Sequence, residues 1–468
     1  MKRANVRLIS LEINNLKNVN HGQINFVNAR KNFKASVLGL YGQNGSGKTA
    51  LIDAVLLLKF ALTGQTVPAN FADFINVDAE TATLKYELSV TTKEGKKYLV
   101  TYELSIRKNT ASMLQNPGLF NAEEIFKTII FDEKLSYPCL CANGKEMMQT
   151  VIDTRNSDSF GPSSKRNILI NGNKAALTDL IVARKLTTAT SRSFCFSKEF
   201  LQIIKNNCKE QHYLDIINSL VSFGNIELFV IMTANTGLIS LDALPLAFKY
   251  EMENTSAIGN LAIALNGTTT VPQTVYDVVL KVFNDMNIVL RKIVPGLTIN
   301  VQKLGEQLLK DGTAGIKIQL MSHRNSKEIP LQYESEGIKK IVSILHLLIV
   351  MYNNASITVA IDELDSGIFE YLLGELLRIV SERGKGQLIF TSHNLRPLET
   401  LDRGFVAFTT TNPDNRYIRF TNVKNNNNLR DFYYRDIMLG EQNETVYEPT
   451  DNEEISFAFR KAGEVSGT

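Results

Sequence analysis

The segment from Gly42 to Thr49 reads GQNGSGKT, and the fold of the chain can be worked out from it. It has the spacing of Gly, four free positions, Gly, Lys and Ser/Thr that forms phosphate-binding loops between a strand and a helix. The flanks agree with this placement, because the apolar run Ser36 to Tyr41 (SVLGLY) predicts a strand and Ala50 to Leu62 predicts a helix. The sequence therefore predicts a nucleotide-phosphate site at a strand-to-helix turn.

Each residue type in this loop has a chemical role in such a site. Glycines let successive N–H groups point into one concavity, where they hold phosphate oxygens with help from the helix N-terminus. Lys48 is expected to reach the β- and γ-phosphates, and the Thr49 hydroxyl is expected to be a ligand of Mg²⁺. The predicted nucleotide-binding residues of the loop are Gly42, Asn44, Gly45, Ser46, Gly47, Lys48 and Thr49.

Two adjacent carboxylates end the apolar run Ile357 to Glu363 (ITVAIDE), which predicts a buried strand. Asp362 is predicted to hold Mg²⁺, and Glu363 to polarise the water that attacks the γ-phosphate. They have to be consecutive at a strand end, because side chains within a strand alternate between its two sides. In the turn that follows, Asp365 is predicted to cap a helix beginning near Phe369.

A histidine stands at the end of the next predicted strand, Gln387 to Thr391 (QLIFT). His393 comes one strand, helix and strand unit after the carboxylates. We expect its imidazole to donate to the γ-phosphate and to sense the loss of that phosphate.

The remaining element is Ser335-Glu336-Gly337, just before the apolar helix Ile338 to Tyr352. Ser335 and the free N–H groups at the helix start are suited to grip a γ-phosphate. Lys339 and Lys340 either add positive charge there or form a solvated face of the helix.

Taken together, these four elements resemble the ABC-type ATPase heads of the SMC and RecF kind. More narrowly, they resemble the compact ATPases of bacterial anti-phage defence, namely the OLD family and the PARIS- and Septu-type ATPase subunits. The resemblance covers about Val6 to Thr410. It implies an α/β fold, an ABC-type P-loop ATPase head with a mixed central sheet, an antiparallel β subdomain and a helical lobe.

The resemblance also implies the cofactors ATP and Mg²⁺ and a separate role for each of the site residues. Ser335 and Gly337 would be the signature motif, which acts on ATP bound to another subunit, so that the protein would be a dimer or a higher homo-oligomer. The remaining roles it implies are catalytic for Lys48, Glu363 and His393, and metal-binding for Thr49 and Asp362.

The sequence departs from related patterns in three ways. Glu334 stands where transporter ATPases have a hydrophobic residue and Ile338 where they have Gln, which counts against a transporter motor. Neither Gln115 nor Gln149 is a good match to the glutamine that usually links the two lobes. OLD proteins continue into a metal-dependent nuclease domain, which is not expected here, so we expect a separate effector protein.

Together with the resemblance, the pattern of apolar and turn residues gives four predicted regions. They are an ATPase lobe I with the antiparallel β subdomain (1–195), a mainly helical insertion (196–270), an ATPase lobe II (271–410) and a C-terminal segment with an acidic tail (411–468). Within these regions, the predicted elements are strands at 6–13, 23–28, 82–90, 98–106, 127–132, 226–232, 297–304 and 315–322, helices within 197–223 and over 271–294, and surface loops over 149–173.

Composition limits the class of protein. The 468 residues are 44% hydrophobic and 21% charged, which indicates a globular protein. No apolar run is long enough to span a bilayer, and the start MKRANVRLISLEI is not typical of a signal peptide, so we expect a cytoplasmic protein without membrane contact. The four cysteines form no C-x-x-C pair and are expected to be reduced thiols.

Two questions about partners stay open in the sequence. From residue 441 to 468 there are seven acidic residues and two basic ones, a balance of −5 that indicates either a solvated tail or a docking segment for a basic partner.

By the resemblance, the chain is a sensor or scaffold that controls a separate toxic nuclease after a phage-encoded trigger. The alternative is a DNA-repair clamp of the RecF type, since a formal charge of +3 neither demands nor excludes DNA. A GTPase is disfavoured because an N-K-x-D motif is missing.

Overall fold

The computed structural model describes residues 4–28, 34–110, 126–140, 146–251, 256–309, 312–421, 428–440 and 442–465. Its helices are α1 (Lys48–Thr63), α2 (Ser163–Leu169), α3 (Lys174–Ala189), α4 (Lys198–Asn207), α5 (Gln211–Ile226), α6 (Thr233–Ser240), α7 (Gln273–Ile293), α8 (Glu336–Asn353), α9 (Glu370–Arg383), α10 (Pro397–Thr400), α11 (Leu429–Leu439) and α12 (Asn452–Val465).

The strands form four sheets. In chain order they are β1 (Asn5–Leu16), β2 (Val19–Asn25), β3 (Ser36–Tyr41), β4 (Thr81–Thr91), β5 (Lys97–Thr110), β6 (Phe126–Leu140), β7 (Glu146–Asp153), β8 (Leu228–Ile231), β9 (Ala243–Glu251), β10 (Ser256–Ala264), β11 (Thr269–Pro272), β12 (Thr298–Leu308), β13 (Ala314–Arg324), β14 (Lys327–Pro330), β15 (Thr358–Ile361), β16 (Gln387–Thr391), β17 (Val406–Thr409) and β18 (Tyr417–Ile418).

The central sheet has the order β18-β17-β3-β16-β15-β8. Its strands from β17 to β8 run parallel, and only the edge strand β18 is antiparallel, so the sheet is mixed. Strand β16 lies between β3, which leads into the phosphate loop, and β15, which leads into the paired carboxylates. Because these strands are parallel, the segments after all three emerge at the same edge of the sheet.

The second large sheet is antiparallel and has the order β2-β1-β4-β5-β6-β7. Its strand β4 alternates strictly between buried and half-buried residues, as expected for a sheet with one face on the core. A hairpin of β9 and β10, and a small sheet in which β13 pairs with β11, β12 and β14, complete the structure.

The hydrophobic core lies on both faces of the central sheet, and the alternation of residues along β3 shows the division. Leu38 and Leu40 pack on the side of α1, α5 and the antiparallel sheet. Val37 and Tyr41 point to the other side, which α7, α8 and α9 cover. Residues of β3 are buried throughout, which explains why its sequence is a continuous apolar run.

The predicted α/β class with a mixed central sheet, an antiparallel β subdomain and helical parts is confirmed by this topology. The hairpin predicted at 82–90 and 98–106 is β4 and β5, and the long helix predicted at 271–294 is α7, which begins after Pro272. The prediction of surface loops over 149–173 was wrong, because β7 pairs with β6 and α2 follows it.

The four predicted regions stay predictions, but their contents can be described. The region 196–270 contains α4, α5 and α6 and also β8, which is a strand of the central sheet, and the hairpin of β9 and β10. In the C-terminal region, Phe432 and Tyr433 of α11 are buried on the head, whereas the described side chains of α12 are exposed. Glu441 and the stretch 422–427 lie outside the described residues.

Candidate active site

The loop Gly42 to Thr49 connects β3 to α1, and its backbone has the conformation that its glycines predict. Gly42, Gly45 and Gly47 have φ angles of 152°, 75° and 90°. At Gly42 a side chain is also excluded sterically, since a Cβ would lie 1.8 Å from the Thr409 hydroxyl oxygen. The loop is thus formed against β17 and needs glycine for both backbone conformation and space.

Residues far along the chain hold the loop in place. The Tyr417 hydroxyl donates to the carbonyl of Gly47 at 2.9 Å, and the hydroxyl of Ser46 is hydrogen-bonded to that of Thr409. From the turn between β1 and β2, the Asn18 side-chain amide donates to the carbonyl of Gly45.

Lys48 begins α1 and is buried in the loop. Its ammonium donates to the carbonyls of Gly42 at 2.8 Å and Gln43 at 2.9 Å. Burial lowers the pKa of Lys48, while the nearby carboxylates of Asp362 and Glu363 act in the opposite direction. This position suits a group that binds phosphate oxygens as a point charge.

The hydroxyl and carboxylate predicted to hold the metal lie side by side. The Thr49 hydroxyl is 3.5 Å from Asp362 Oδ1. Asp362 is buried at the end of β15, and it accepts hydrogen bonds from the hydroxyls of Thr391 at 2.7 Å and Thr233 at 2.8 Å. A hydroxyl oxygen and one carboxylate, with phosphate oxygens and water, are the donor set that Mg²⁺ prefers, so these residues fit a magnesium ion.

Glu363 lines the same cleft as Lys48 and has an unusual backbone conformation. Its φ angle is 48°, the left-handed region that residues other than glycine seldom adopt. Its N–H donates to the Thr391 hydroxyl at 2.7 Å, so Thr391 binds both members of the carboxylate pair. Such strained residues persist only where their surroundings hold them, and they are concentrated at functional sites.

His393 is exposed at the mouth of the cleft after β16. The predicted cap at Asp365 was wrong, because α9 begins after Phe369 and no side chain caps it. Asp365 instead accepts hydrogen bonds from the backbone N–H groups of His393 at 3.0 Å and Asn394 at 2.9 Å. A carboxylate can accept both because the two N–H groups point the same way in the turn after β16, so Asp365 fixes the histidine loop.

These elements enclose one cleft of about 430 Å³. Its described lining contains neither Ser335 nor Gly337 and no glutamine, and it consists of Lys17, Asn18, Asn44 to Ala50, Asp362, Glu363, Thr391 and His393. Of the two glutamines considered from the sequence, Gln149 lies in β7 and Gln115 lies outside the described residues.

The predicted signature segment, Ser335-Glu336-Gly337, lies at the start of α8. Ser335 is exposed and caps this helix by accepting from the N–H of Ile338 at 3.4 Å. Gly337 packs on the turn after the carboxylates, where a Cβ would lie 2.1 Å from the carbonyl oxygen of Gly367. Lys339 and Lys340 are both buried, so their interpretation as a solvated helix face was wrong.

Several residues of the cleft were not predicted from the sequence. Thr391 ends the buried strand β16, and Thr233, which donates to Asp362 from beside the cleft, lies two residues after β8. A hydroxyl residue at a strand end is a signal that could have found both. Lys17, in contrast, stands in a short polar turn. It pairs with the buried Asp53 of α1 and lies over the Phe74 ring at 4.1 Å, contacts that no local pattern indicates.

In the described part of the chain, none of the helices has the length and apolar character that crossing a membrane requires.

Comparisons with known proteins agree with this geometry. A protein-family model described as "AAA domain" matches residues 10–220. One component of the nuclease SbcCD of Clostridium acetobutylicum is 32% identical over 94 residues, which is 20% of this chain and only 8% of that protein.

The solved structures to which the chain is similar include two SMC heads and a recombination mediator. An SMC head bound to the C-winged helix domain of ScpA has a TM-score of 0.40 at 10% identity, covering 89% of this chain and 98% of that one. The SMC head domain from Thermotoga maritima has a TM-score of 0.37 at 14% identity, with coverages of 89% and 99%. The recombination mediator RecF with ATPrS has a TM-score of 0.35 at 13% identity, with coverages of 89% and 98%. By its own strand order and loop placement, the chain has an α/β fold with a phosphate-binding loop at the edge of a mixed central sheet. Over residues 10–220 it is similar to an AAA domain.

Proposed function

We propose that the protein hydrolyses ATP with Mg²⁺ in the cleft between the phosphate loop and the paired carboxylates. The observation that carries this proposal is the approach of the Thr49 hydroxyl to Asp362 at 3.5 Å, with Lys48 and Glu363 lining the same cleft. In this arrangement, Lys48 would bind the β- and γ-phosphates, and Thr49 and Asp362 are the residues that would hold Mg²⁺.

The reaction is the transfer of the γ-phosphoryl group to water. The water oxygen forms a bond to the γ-phosphorus while Glu363 orients it and accepts its proton. The bond from the γ-phosphorus to the bridging oxygen breaks, and its electron pair leaves with ADP. His393 donates a hydrogen bond to the γ-phosphate, and magnesium, when bound, balances the charge on the phosphates.

We further propose that each ATP site is completed by a second subunit. Ser335 is exposed and lies outside the cleft of its own chain, at the N-terminus of α8, where free N–H groups favour an anion. ATP between two heads would bind the phosphate loop of one and Ser335 of the other. ATP binding would then close a dimer, and hydrolysis would open it.

At the cellular level, we propose a sensor or scaffold that controls a separate nuclease effector in anti-phage defence, with a phage product as the trigger. The resemblance of the four motifs to defence ATPases supports this, as does the short match to a protein named as part of a nuclease. The competing function is a repair clamp that binds DNA directly.

The test is affinity purification of tagged Glu363→Gln protein from its native host with the neighbouring genes intact. Mass spectrometry and a nucleic-acid assay then identify what is bound. A second protein in fixed ratio, especially a nuclease, supports the scaffold. Recovery of DNA alone, with ATPase activity that DNA stimulates and that falls steeply between about 50 and 200 mM salt, would instead establish the clamp.

A further inference from the structure

A lysine of the helix that begins after Ser335 reaches the backbone of Glu363 in its own chain. Lys340 lies in the second turn of α8 and its side chain is only 2% exposed. Its ammonium donates to the Thr236 hydroxyl of α6 at 2.7 Å and, more weakly, to the backbone carbonyl of Glu363 at 3.4 Å. The lysine thus connects α8, α6 and the segment after β15.

The environment of this ammonium has two opposing effects on its positive charge. Burial lowers the pKa of Lys340, and the carboxylates of Asp365, Glu363 and Asp362 act in the opposite direction. An apolar side chain of similar length would fill the same space without the cost of removing an ammonium from water. The contacts of the charge, rather than the volume of the side chain, therefore need an explanation.

Those contacts converge on the strained peptide of Glu363. Its N–H is held by the Thr391 hydroxyl at 2.7 Å, and its carbonyl accepts from Lys340 and from the N–H of Ser366 at 3.2 Å. With a φ angle of 48°, the Glu363 backbone depends on such contacts on both sides. The direction of the Glu363 side chain follows from this backbone conformation.

The second contact of Lys340 leads to the metal-binding carboxylate. Thr236 and Thr233 lie on the same short helix, α6, and the Thr233 hydroxyl donates to Asp362 at 2.8 Å. A shift of α8 would therefore act on Glu363 directly and on Asp362 through α6.

We propose that Lys340 is a positioning residue that holds the Glu363 peptide in the conformation needed for water activation and couples it to α8. The inference rests on the proposed ATPase function. It adds that the nucleotide of the neighbouring subunit acts through α8 on Glu363. Ser335 and Gly337 on α8 serve the neighbour's nucleotide, whereas Lys340 on the same helix acts on Glu363 of its own chain. Nucleotide bound at one site of a dimer thereby adjusts the catalytic carboxylate of the other site.

The first experiment compares Lys340→Met with Lys59→Met, since Lys59 is a desolvated lysine on α1 whose ammonium lies over the Phe229 ring at 5.6 Å. For Lys340→Met we expect kcat to fall between about 10- and 100-fold, because small misplacements of a catalytic group have effects of this size. We expect its ATP affinity to stay within about twofold of wild type, as the phosphate loop is unchanged. Lys59→Met should leave both quantities unchanged.

The second experiment locates the defect in dimers purified through two different tags. In the first dimer, a Lys340→Met subunit is paired with a Lys48→Ala subunit, so the working phosphate loop and the altered lysine are in the same chain. In the second, a wild-type subunit is paired with a Lys48→Ala, Lys340→Met subunit, which contributes only its signature segment. The reference is a wild-type subunit paired with Lys48→Ala.

The proposal predicts that the first dimer hydrolyses ATP with a lower kcat than the reference dimer, and that the second dimer has the same kcat as the reference. A slow second dimer with a normal first one would show that Lys340 only supports the signature segment, and a wild-type kcat for Lys340→Met would also overturn the proposal. If Lys340→Met fails to fold, the same experiments use Thr236→Val. This variant should lower kcat in the same direction but by a smaller factor, and its ATP affinity should again be unchanged. Failure of the ATPase function itself is seen separately, as an absence of turnover by the wild-type protein.

Discussion

The Thr391 hydroxyl donates a hydrogen bond to the carboxylate of Asp362 at 2.7 Å, and the same oxygen accepts the N–H of Glu363. One side chain at the end of β16 therefore fixes the position of the proposed metal ligand relative to the proposed water-activating residue. We expect Thr391→Val to raise the Mg²⁺ concentration for half-maximal ATPase activity between about 10- and 100-fold, since contacts that orient a metal ligand have effects of this size.

The matched control for this prediction is Thr358→Val. Thr358 is a buried threonine of β15 whose hydroxyl donates to the Gln387 side chain at 3.1 Å, away from the cleft. Both variants should lose stability of about 0.5 to 3 kcal/mol, because each removes a hydrogen bond to a buried polar group. A Mg²⁺ dependence that shifts equally in both would contradict the role of Thr391.

Glu363→Gln should bind ATP and lower its turnover by about 100-fold or more, because the amide cannot accept the proton of the attacking water. Since the closed dimer would then persist, size-exclusion chromatography with light scattering should show an ATP-dependent oligomer. A variant that hydrolyses ATP at the wild-type rate would show that another residue activates the water.

Lys48→Ala should lower the affinity for ATP by about 100-fold, because a charge-assisted hydrogen bond to phosphate is lost. Titration with a fluorescent ATP analogue measures this effect. Lys59→Ala on the same helix is the control, and it should bind ATP as the wild type does. Equal affinities of the Lys48 and Lys59 variants would contradict the assignment of the loop.

Lys17→Met should destabilise the fold by about 3 kcal/mol at neutral pH, because it leaves the buried carboxylate of Asp53 without its counter-charge. Burial already raises the pKa of Asp53 above its unfolded value, and Lys17 opposes this rise. Losing the lysine raises the folded pKa further, so the ionised carboxylate costs more stability.

The difference between this variant and the wild type should therefore be largest above the folded pKa of Asp53 and shrink as the pH falls towards the unfolded pKa. Denaturant unfolding at several pH values tests this direction. Lys85→Met serves as the control, because its partner Glu12 is 3.6 Å away at the surface, and its loss should cost less than about 1 kcal/mol. A deficit that grows on acidification would contradict the ion-pair argument.

Gly337→Ala should abolish the ATP-dependent oligomer while ATP binding to the isolated subunit persists. The added methyl group would meet the carbonyl of Gly367 at 2.1 Å, so the start of α8 or the turn after the carboxylates has to move. The control is Gly463→Ala in α12, where a Cβ meets no atom within 4 Å. Normal oligomer formation by Gly337→Ala would show that this close contact does not shape the subunit interface.

The positions of those parts of the candidate site that neighbouring residues indicate could be predicted from the sequence. The loop Gly42 to Thr49 and the pair Asp362 and Glu363 follow apolar runs directly, and the parallel order of β3, β16 and β15 then brings them together. The predicted α/β fold is confirmed for the same reason, since continuous apolar runs alternate with helical ones along the chain.

What the sequence did not predict depends on contacts between distant segments. Asp365 lies four residues before Phe369, the cap position of α9, and its carboxylate instead binds the N–H groups of the His393 loop, which is distant in the sequence. Lys340 looks like a surface lysine beside Lys339, and only the packing of α8 against α6 buries it. The end of strand β7 and the helix α2 within 149–173 were missed because this stretch is polar and turn-rich, while pairing with β6 determines the structure of β7.

The phosphate loop lies near the start of the chain, but Thr409 and Tyr417, which hold it, come more than 360 residues later. During synthesis, a nascent chain would therefore display the loop sequence long before it has the strands that shape it. Nucleotide binding by ribosome-bound chains should appear only once β17 and β18 have emerged from the exit tunnel. The ability to bind ATP would thus report that the chain has been made at least as far as β18.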